Sequence, residues 1–170
     1  MGARQLRKLQ WGKETTPGTA VAATFLWRGS GTLKDERDVK FATEDVGILT
    51  DTDRSYIDKL LASLALTPTE ATFEQLPYLF EMGVKLVGTG AADGAGTDKV
   101  YTYPLSSTAQ NTIKTYTIEG GDNAGAERME YCYADTITLD GKAYGPLMMS
   151  AQLYGRQSAV NAFTGSSRTE

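Results

Sequence analysis

The sequence predicts a mainly β (α+β) fold in which one short helix flanks two packed β-sheets. Four segments of the second half alternate apolar and polar residues at period two, as half-buried strands do: KVYTYPL, TIKTYTIEGG, AERMEYCYADTITLDG and GPLMMSAQLYGRQ. The 18 glycines cluster between such segments and therefore mark loops. The clearest helical spacing is in the segment TFEQLPYLFEMGVKL.

The helix is expected over about residues 73–87, lying on a sheet. Its apolar side would carry Leu76, Leu79, Phe80 and Gly83, which recur at i, i+3, i+4 and i+7. Thr72 and Gln75 have the spacing of a capping box at the helix start. Pro77 falls in the first turns, where its missing N–H costs least.

The longest expected strand is AERMEYCYADTITLDG, which ends in a plausible Asp140-Gly141 turn. Strict alternation would place Met129, Tyr131, Tyr133, Asp135, Ile137 and Leu139 on one face. Near the N-terminus, GTAVAATFLWRG is rich in β-branched and aromatic residues and is also predicted to be a strand.

Residues 1–18 are predicted to form an N-terminal arm, followed by a β domain over 19–170. The arm is basic, and ETTPG ends any regular element within it. Leu9 and Trp11 are its candidate docking residues on a neighbouring subunit; the alternative is a disordered start.

A long extended loop is predicted over residues 34–57. The segment is dense in charge, which is typical of a solvated loop. Apolar residues are nevertheless spread through it, and loops of this length are usually functional or disordered. Its spaced apolar side chains suit a segment that a partner orders. The apolar residues within the loop are Val39, Phe41, Val46, Ile48 and Leu49, and Leu33 directly precedes it.

The composition gives little support to catalysis. Histidine is absent, which removes the commonest general base and zinc ligand. Cys132 is the one cysteine and, with strand-like neighbours, is expected to be a buried, inert thiol. The glycine-rich segment 88–98 lacks the dinucleotide fingerprint and is predicted to be a flexible loop. Residues 51–62 fail the calcium-loop pattern at its glycine and glutamate positions. No catalytic residue, cofactor or metal is predicted, and the protein is not expected to be an enzyme.

Charge and hydropathy limit the partners further. The net charge of −4 offers no general basic surface for holding nucleic acid. No apolar stretch is long enough to cross a membrane as a helix. The expectation is a soluble protein made in a cytoplasm.

Four blocks of the sequence together resemble the tail tube proteins (major tail proteins) of long-tailed bacteriophages. In chain order they are GKETTPGTAVAAT, EDVGILTDTDRSYI, ATFEQLPYLFEMGVK and YTIEGGDNAGAERMEYCYADTITLDG, the last followed by YGRQ. Each block alone is weakly specific, but their order and spacing cover most of the chain. Many chains with these blocks continue further, so this one fits either a short member or one without its C-terminal half.

The resemblance implies a structural virion protein of the phage tail. Its subunits would form hexameric rings that stack helically, with strands from every subunit lining the lumen as one barrel. Residues 34–57 would be the inter-ring loop, with Glu44-Asp45-Val46-Gly47 at its centre, and 1–18 the arm. The implied inter-subunit contacts are Leu9, Trp11, Val39, Phe41, Glu44, Asp45, Val46 and Ile48.

The resemblance also implies the partners. A tape-measure protein and then double-stranded DNA would occupy the lumen without specific binding, other tail proteins would meet the tube ends, and no membrane would be involved. Assembly would take place in the host cytoplasm. One alternative is a single-ring tail component, such as a terminator or baseplate hub. A less favoured alternative is a monomeric β-sandwich binding module that uses the loop over 88–98.

Overall fold

The computed structural model describes residues 4–49 and 52–165. The predicted mainly β fold with one short helix is confirmed for this part of the chain. Residues 1–3 of the predicted arm, 50–51 of the predicted long loop and 166–170 of the predicted β domain lie outside it. The elements are a 3-10 turn (Arg4–Leu6), β1 (Lys8–Lys13), β2 (Phe25–Leu26), β3 (Gly31–Asp35), β4 (Asp38–Thr43), β5 (Thr52–Lys59), β6 (Ala62–Glu70), α1 (Leu76–Gly83), β7 (Ala91–Ala92), β8 (Lys99–Val100), β9 (Tyr116–Gly121), β10 (Ala126–Gly141), β11 (Leu147–Gly155) and β12 (Gln157–Asn161).

Two antiparallel sheets share the long strand β10. The first sheet has the order β2-β1-β9-β10-β12, and the second has the order β10-β11-β6-β3. Apolar side chains of both sheets form one buried cluster, to which α1 adds two. Its fully covered members include Trp11, Ile118 and Met129 from the first sheet and Leu64, Met149 and Leu153 from the second.

The strand β10 has the predicted extent, but the predicted strict alternation along it is wrong. The pairing register shifts between Met129 and Cys132, and again between Ala134 and Thr136. Tyr131 takes a left-handed backbone conformation with φ of 58° at the first shift. Met129 and Cys132 are therefore both fully buried although they lie three residues apart. Such bulges bend a strand, and here the bend carries β10 from the first sheet into the second.

The buried carboxylate of Glu14 holds this bend in place. It accepts a hydrogen bond from the Tyr131 backbone N–H at 2.9 Å and another from the Gly18 N–H at 2.7 Å. The hydroxyl groups of Thr115 and Thr117 donate to it at 2.7 and 3.0 Å. Four donors thus satisfy a fully buried charge, which would otherwise be costly to desolvate.

The predicted N-terminal arm is wrong for β1, which is an interior strand between β2 and β9. Leu9 is 6% exposed and Trp11 is fully buried. The Trp11 ring stacks on Trp27 with 4.5 Å between ring centroids. Both side chains pack in the core of their own subunit and are therefore not available to contact a neighbouring subunit.

The strand predicted over GTAVAATFLWRG is much shorter in the structure, where only the two residues of β2 are in a strand.

The helix α1 is shorter than the predicted 73–87, and the predicted capping box is wrong. Gln75 occupies the N-cap without a side-chain capping bond, and the buried Thr72 hydroxyl has no hydrogen-bond partner among the described residues. At the other end, a Cβ on Gly83 would lie 2.9 Å from Cδ1 of Ile137. Glycine therefore lets the helix pack directly against the second half of β10.

Candidate assembly surfaces

The segment predicted as a long loop is a two-stranded hairpin. Lys34 and Asp35 complete β3, and the chain then forms β4 and β5, which pair with each other in the register Phe41 to Ser55. Among the described residues, neither strand pairs with any other strand. We call the described residues 38–49 and 52–59 the assembly hairpin.

The assembly hairpin exposes large apolar side chains on both of its faces. Every residue of β5 is exposed, including the adjacent Tyr56 and Ile57, which point to opposite faces because successive strand residues alternate. Phe41 on β4 is 64% exposed. The exposed apolar residues of the hairpin and its base are Val39, Phe41, Val46, Ile48, Leu49, Tyr56, Ile57 and Leu60. An isolated two-stranded ribbon is marginally stable in water, and no other described strand pairs with this one.

Polar groups connect the two strands of the assembly hairpin near its tip. The guanidinium of Arg54 on β5 contacts both carboxylate oxygens of Glu44, with Nε 3.0 Å from Oε2. This charge-assisted pair crosses the ribbon and fixes how β4 enters the tip. Asp45 follows in the sequence and is exposed.

A second polar cluster holds the base of the hairpin to the second sheet. The Ser63 hydroxyl donates to Glu36 Oε1 at 2.7 Å, and Lys59 Nζ lies 3.7 Å from Oε2. The hydrogen bond from Ser63, assisted by the positive charges of Lys34 and Lys59, lowers the pKa of Glu36 below its ordinary value of 4.5. The base is thus tied to the body while the ribbon beyond it is not.

The second sheet has an open edge on each side. From Tyr133 onward β10 pairs with β11 alone, because β9 pairs with β10 only as far as Cys132. At the opposite side, β3 pairs only with β6 among the described residues. Open edges offer unpaired N–H and C=O groups to another strand.

The structure divides the predicted contact residues into two groups. Val39, Phe41, Glu44, Asp45, Val46 and Ile48 all lie in the assembly hairpin, where all but the partly covered Glu44 are exposed. Leu9 and Trp11 lie in the core instead. Sequence reasoning missed the open edges, which depend on long-range pairing. The one local feature that bears on an open edge is the run of β-branched and aromatic residues in β10, which predicts an unusually long strand.

The predicted glycine-rich loop over 88–98 contains β7, which pairs with β8 directly after the loop to form a small hairpin. Gly88 and Gly94 have φ of +76° and +63° with no atom near enough to contact an added Cβ. Glycine is required there by backbone conformation and not by crowding.

Two further buried carboxylates bind donors of their own chain. Glu81 accepts from Lys13 Nζ at 2.6 Å and from the Tyr116 hydroxyl at 2.8 Å. Glu119 accepts from Gln10 Nε2 at 2.6 Å and from the Thr164 N–H at 2.8 Å. The second oxygen of each carboxylate is also bonded: the Gly88 N–H donates to Glu81 Oε1 at 3.1 Å, and the Thr164 hydroxyl donates to Glu119 Oε1 at 2.9 Å. Each carboxylate thus ties separate parts of the chain together, which suits a structural role.

The buried hydroxyl of Tyr116 and the buried thiol of Cys132 favour their neutral forms. Burial, with the nearby Glu81 charge, raises the pKa of the Tyr116 hydroxyl far above its ordinary range. Burial likewise raises the pKa of the Cys132 thiol, so the predicted inert thiol is in fact fully covered and protonated. Within residues 4–49 and 52–165, no three His, Cys, Asp or Glu side chains are arranged to hold a metal ion.

Comparison with known proteins does not assign the chain to a family. A scan against protein-family models and a search of curated proteins both found no match. In the described part of the chain, no helix has the length and apolar character needed to cross a membrane.

Proposed function

We propose that the chain is the structural subunit of a phage tail tube, in which hexameric rings stack helically into the conduit for DNA. The resemblance of the four sequence blocks to tail tube proteins supports this proposal. The single observation that carries the proposal is the assembly hairpin, with apolar residues exposed on both faces. Surfaces of this kind mark protein–protein contacts, and a head-to-tail contact that does not close generates a filament.

The second sheet supplies a geometry for the ring. Its strands alternate in direction through β10, β11, β6 and β3, so the two open edges run antiparallel to each other. Rotation about a ring axis parallel to the strands preserves strand direction. The β10 edge of one subunit would therefore meet the β3 edge of the next as an antiparallel pair, which continues the sheet around the ring.

One row of side chains across the outward face of this sheet suits a bore through which DNA slides. Gln152, Ala65 and Thr32 lie opposite one another across three strands, and Thr136 extends the row onto β10. All four side chains are uncharged, so the row offers no cation to phosphate. A net charge of −4 per subunit adds repulsion and not attraction. The tape-measure protein and DNA would then pass without specific binding.

The assembly hairpin provides the first test. Replacing residues 38–59 by a short glycine-rich turn between Arg37 and Leu60 should leave the two-sheet body folded and abolish tubes. Body folding is read by circular dichroism and cooperative unfolding, and assembly by sedimentation and electron microscopy. Tubes of unchanged appearance from the deleted protein would show that the hairpin is not the assembly surface, whereas a wild-type protein that forms no tubes would overturn the proposal.

A point substitution gives the matched comparison. Phe41→Asp places a charge in the hairpin surface and should shift the protein from sedimenting tubes to small species. Val160→Asp is the control, because Val160 is 90% exposed on β12, a strand that pairs with β10 and not with either strand of the hairpin. Equal loss of assembly in both variants would show that added charge, and not the hairpin surface, is responsible. Single rings from the wild-type protein would instead favour a terminator or hub.

A further inference from the structure

A second group of exposed apolar side chains lies where β10 turns into β11. Gly141 pairs with Leu147 across the turn, and the Ala71 N–H donates to the Leu147 carbonyl at 2.8 Å. This bond brings the chain after β6 to the same place. We call the group the turn-end patch; its members are Phe73, Leu139, Tyr144 and Leu147, exposed by 93%, 43%, 110% and 43% respectively.

Tyr144 is the most unusual member of the patch. Its side chain is completely exposed, and its backbone has φ of +65°, a conformation that a bulky residue seldom adopts. Asn, Asp or Gly would suit this turn position better. Within the described part of the chain, the Tyr144 ring has no ring or hydrogen-bond contact that offsets this exposure. A costly backbone conformation that displays an aromatic ring to solvent is expected where the ring has a use.

The turn-end patch and the assembly hairpin lie at opposite ends of the same sheet. The hairpin joins β6 at Ala62, which pairs with Asp35, whereas the patch adjoins Glu70, which pairs with Met148. The strand β6 between them has nine residues, so the two ends are about 27 Å apart at the usual rise per residue. One copy therefore carries two different apolar surfaces that it cannot bring together.

We infer that the turn-end patch of one copy receives the assembly hairpin of the copy in the next ring. The inference rests on the proposed function, in which sheet edges join subunits within a ring. With both edges used laterally, the free direction for stacking is along the strands. One end of the second sheet then presents the assembly hairpin and the other end presents the turn-end patch, as a head-to-tail contact requires.

Cysteine pairs test the contact directly, because the native Cys132 is fully buried and provides a silent background. Phe41→Cys and Tyr144→Cys are made in separate full-length chains, one of which carries a size tag. The two are mixed under tube-forming conditions and treated with a short bismaleimide. The expected product is the tagged–untagged heterodimer, at least tenfold above that from either variant alone. Val39→Cys replaces Phe41→Cys if the latter reduces assembly.

A matched control uses Val160→Cys, which is equally accessible but lies on β12 of the first sheet. Mixed with Phe41→Cys, it should give no more heterodimer than background. A Tyr144→Asn variant, whose residue tolerates the left-handed backbone, should keep its unfolding midpoint and require at least fivefold more protein to form tubes.

The outcomes distinguish a failure of the inferred hairpin–patch contact from a failure of the proposed tube function. Tubes that form without a Phe41–Tyr144 product would overturn the inference and leave the tube function standing. A dominant product between two Phe41→Cys chains would also overturn it, because that result means paired hairpins. Failure of the wild-type protein to polymerise would overturn the proposed function itself.

Discussion

β1 and the assembly hairpin differ in where their apolar side chains find a partner. The strands β1 (KLQWGK) and β4 (DVKFAT) both alternate apolar and polar residues, and both contain predicted candidate contacts with a neighbouring subunit. Trp11 of β1 is fully buried against Trp27, with their rings stacked at 4.5 Å. Phe41 of the hairpin is 64% exposed with no aromatic ring beside it among the described residues.

The difference shows what a pattern of apolar residues can predict. It predicts that a strand needs an apolar partner, but it does not say whether that partner belongs to the same molecule. β1 finds β9 on one side and β2 on the other, and even its polar Gln10 reaches the buried Glu119. Among the residues that the structure describes, the hairpin has no such neighbouring strands, which is the basis for expecting a second copy to cover it.

Truncating one aromatic residue in each segment should give the largest contrast. Trp11→Ala removes a fully buried ring and should lower the free energy of unfolding by about 3–5 kcal/mol, from lost transfer energy and the cavity left behind. Phe41→Ala should change it by less than about 0.5 kcal/mol, because an exposed side chain leaves no cavity. Urea unfolding of unassembled protein measures both. Similar losses in the two variants would contradict the distinction between core strand and free hairpin.

Removing the charge of one buried and one partly exposed carboxylate gives a second comparison between the core and the hairpin. Glu14→Gln should cost about 2–3 kcal/mol, because a buried charge loses its hydrogen bonds. The Gly18 and Tyr131 N–H groups bond different oxygens of Glu14, so either orientation of an amide would set its NH₂ against one of them. Glu44→Gln removes an exposed ion pair with Arg54 and should cost less than about 1 kcal/mol.

The same urea titration checks this prediction, with the slope against urea reporting any change in compactness. A Glu14→Gln loss no greater than that of Glu44→Gln would mean that Glu14 does not hold the bend of β10.

The smallest expected effect is a pH dependence at the base of the hairpin. The folded pKa of Glu36 lies below 4.5, so the group contributes stability that is present above 4.5 and lost as pH falls through the folded pKa. The wild type should therefore be more stable than Glu36→Gln at neutral pH, and the gap should close below pH 4.5. Thermal unfolding over this range measures the gap. A gap that widened on acidification would contradict the arrangement at Ser63.

Local patterns were sufficient for the fold class and for part of the element list. The sixteen residues of β10 were predicted as one strand, because glycines bound a run of β-branched and aromatic residues. The helix was placed correctly but made too long, since Thr72 has the right spacing for a cap and lacks the contact.

Long-range contacts account for what the sequence could not predict. The bend at Tyr131 depends on Glu14, which is 117 residues away along the chain. Nothing near Glu14 in the sequence marks it as a buried acceptor. The open edge of β10 likewise follows from where β9 stops pairing, and the turn-end patch follows from the contact between Ala71 and Leu147.

Negative-stain electron microscopy of the purified protein over a range of concentrations tests the central claim most directly. We predict hollow tubes with a regular axial repeat above a critical concentration, because the assembly hairpin and the two open sheet edges would then all be covered by other copies. A monomer that persists at high concentration, with the hairpin still exposed, would contradict the account.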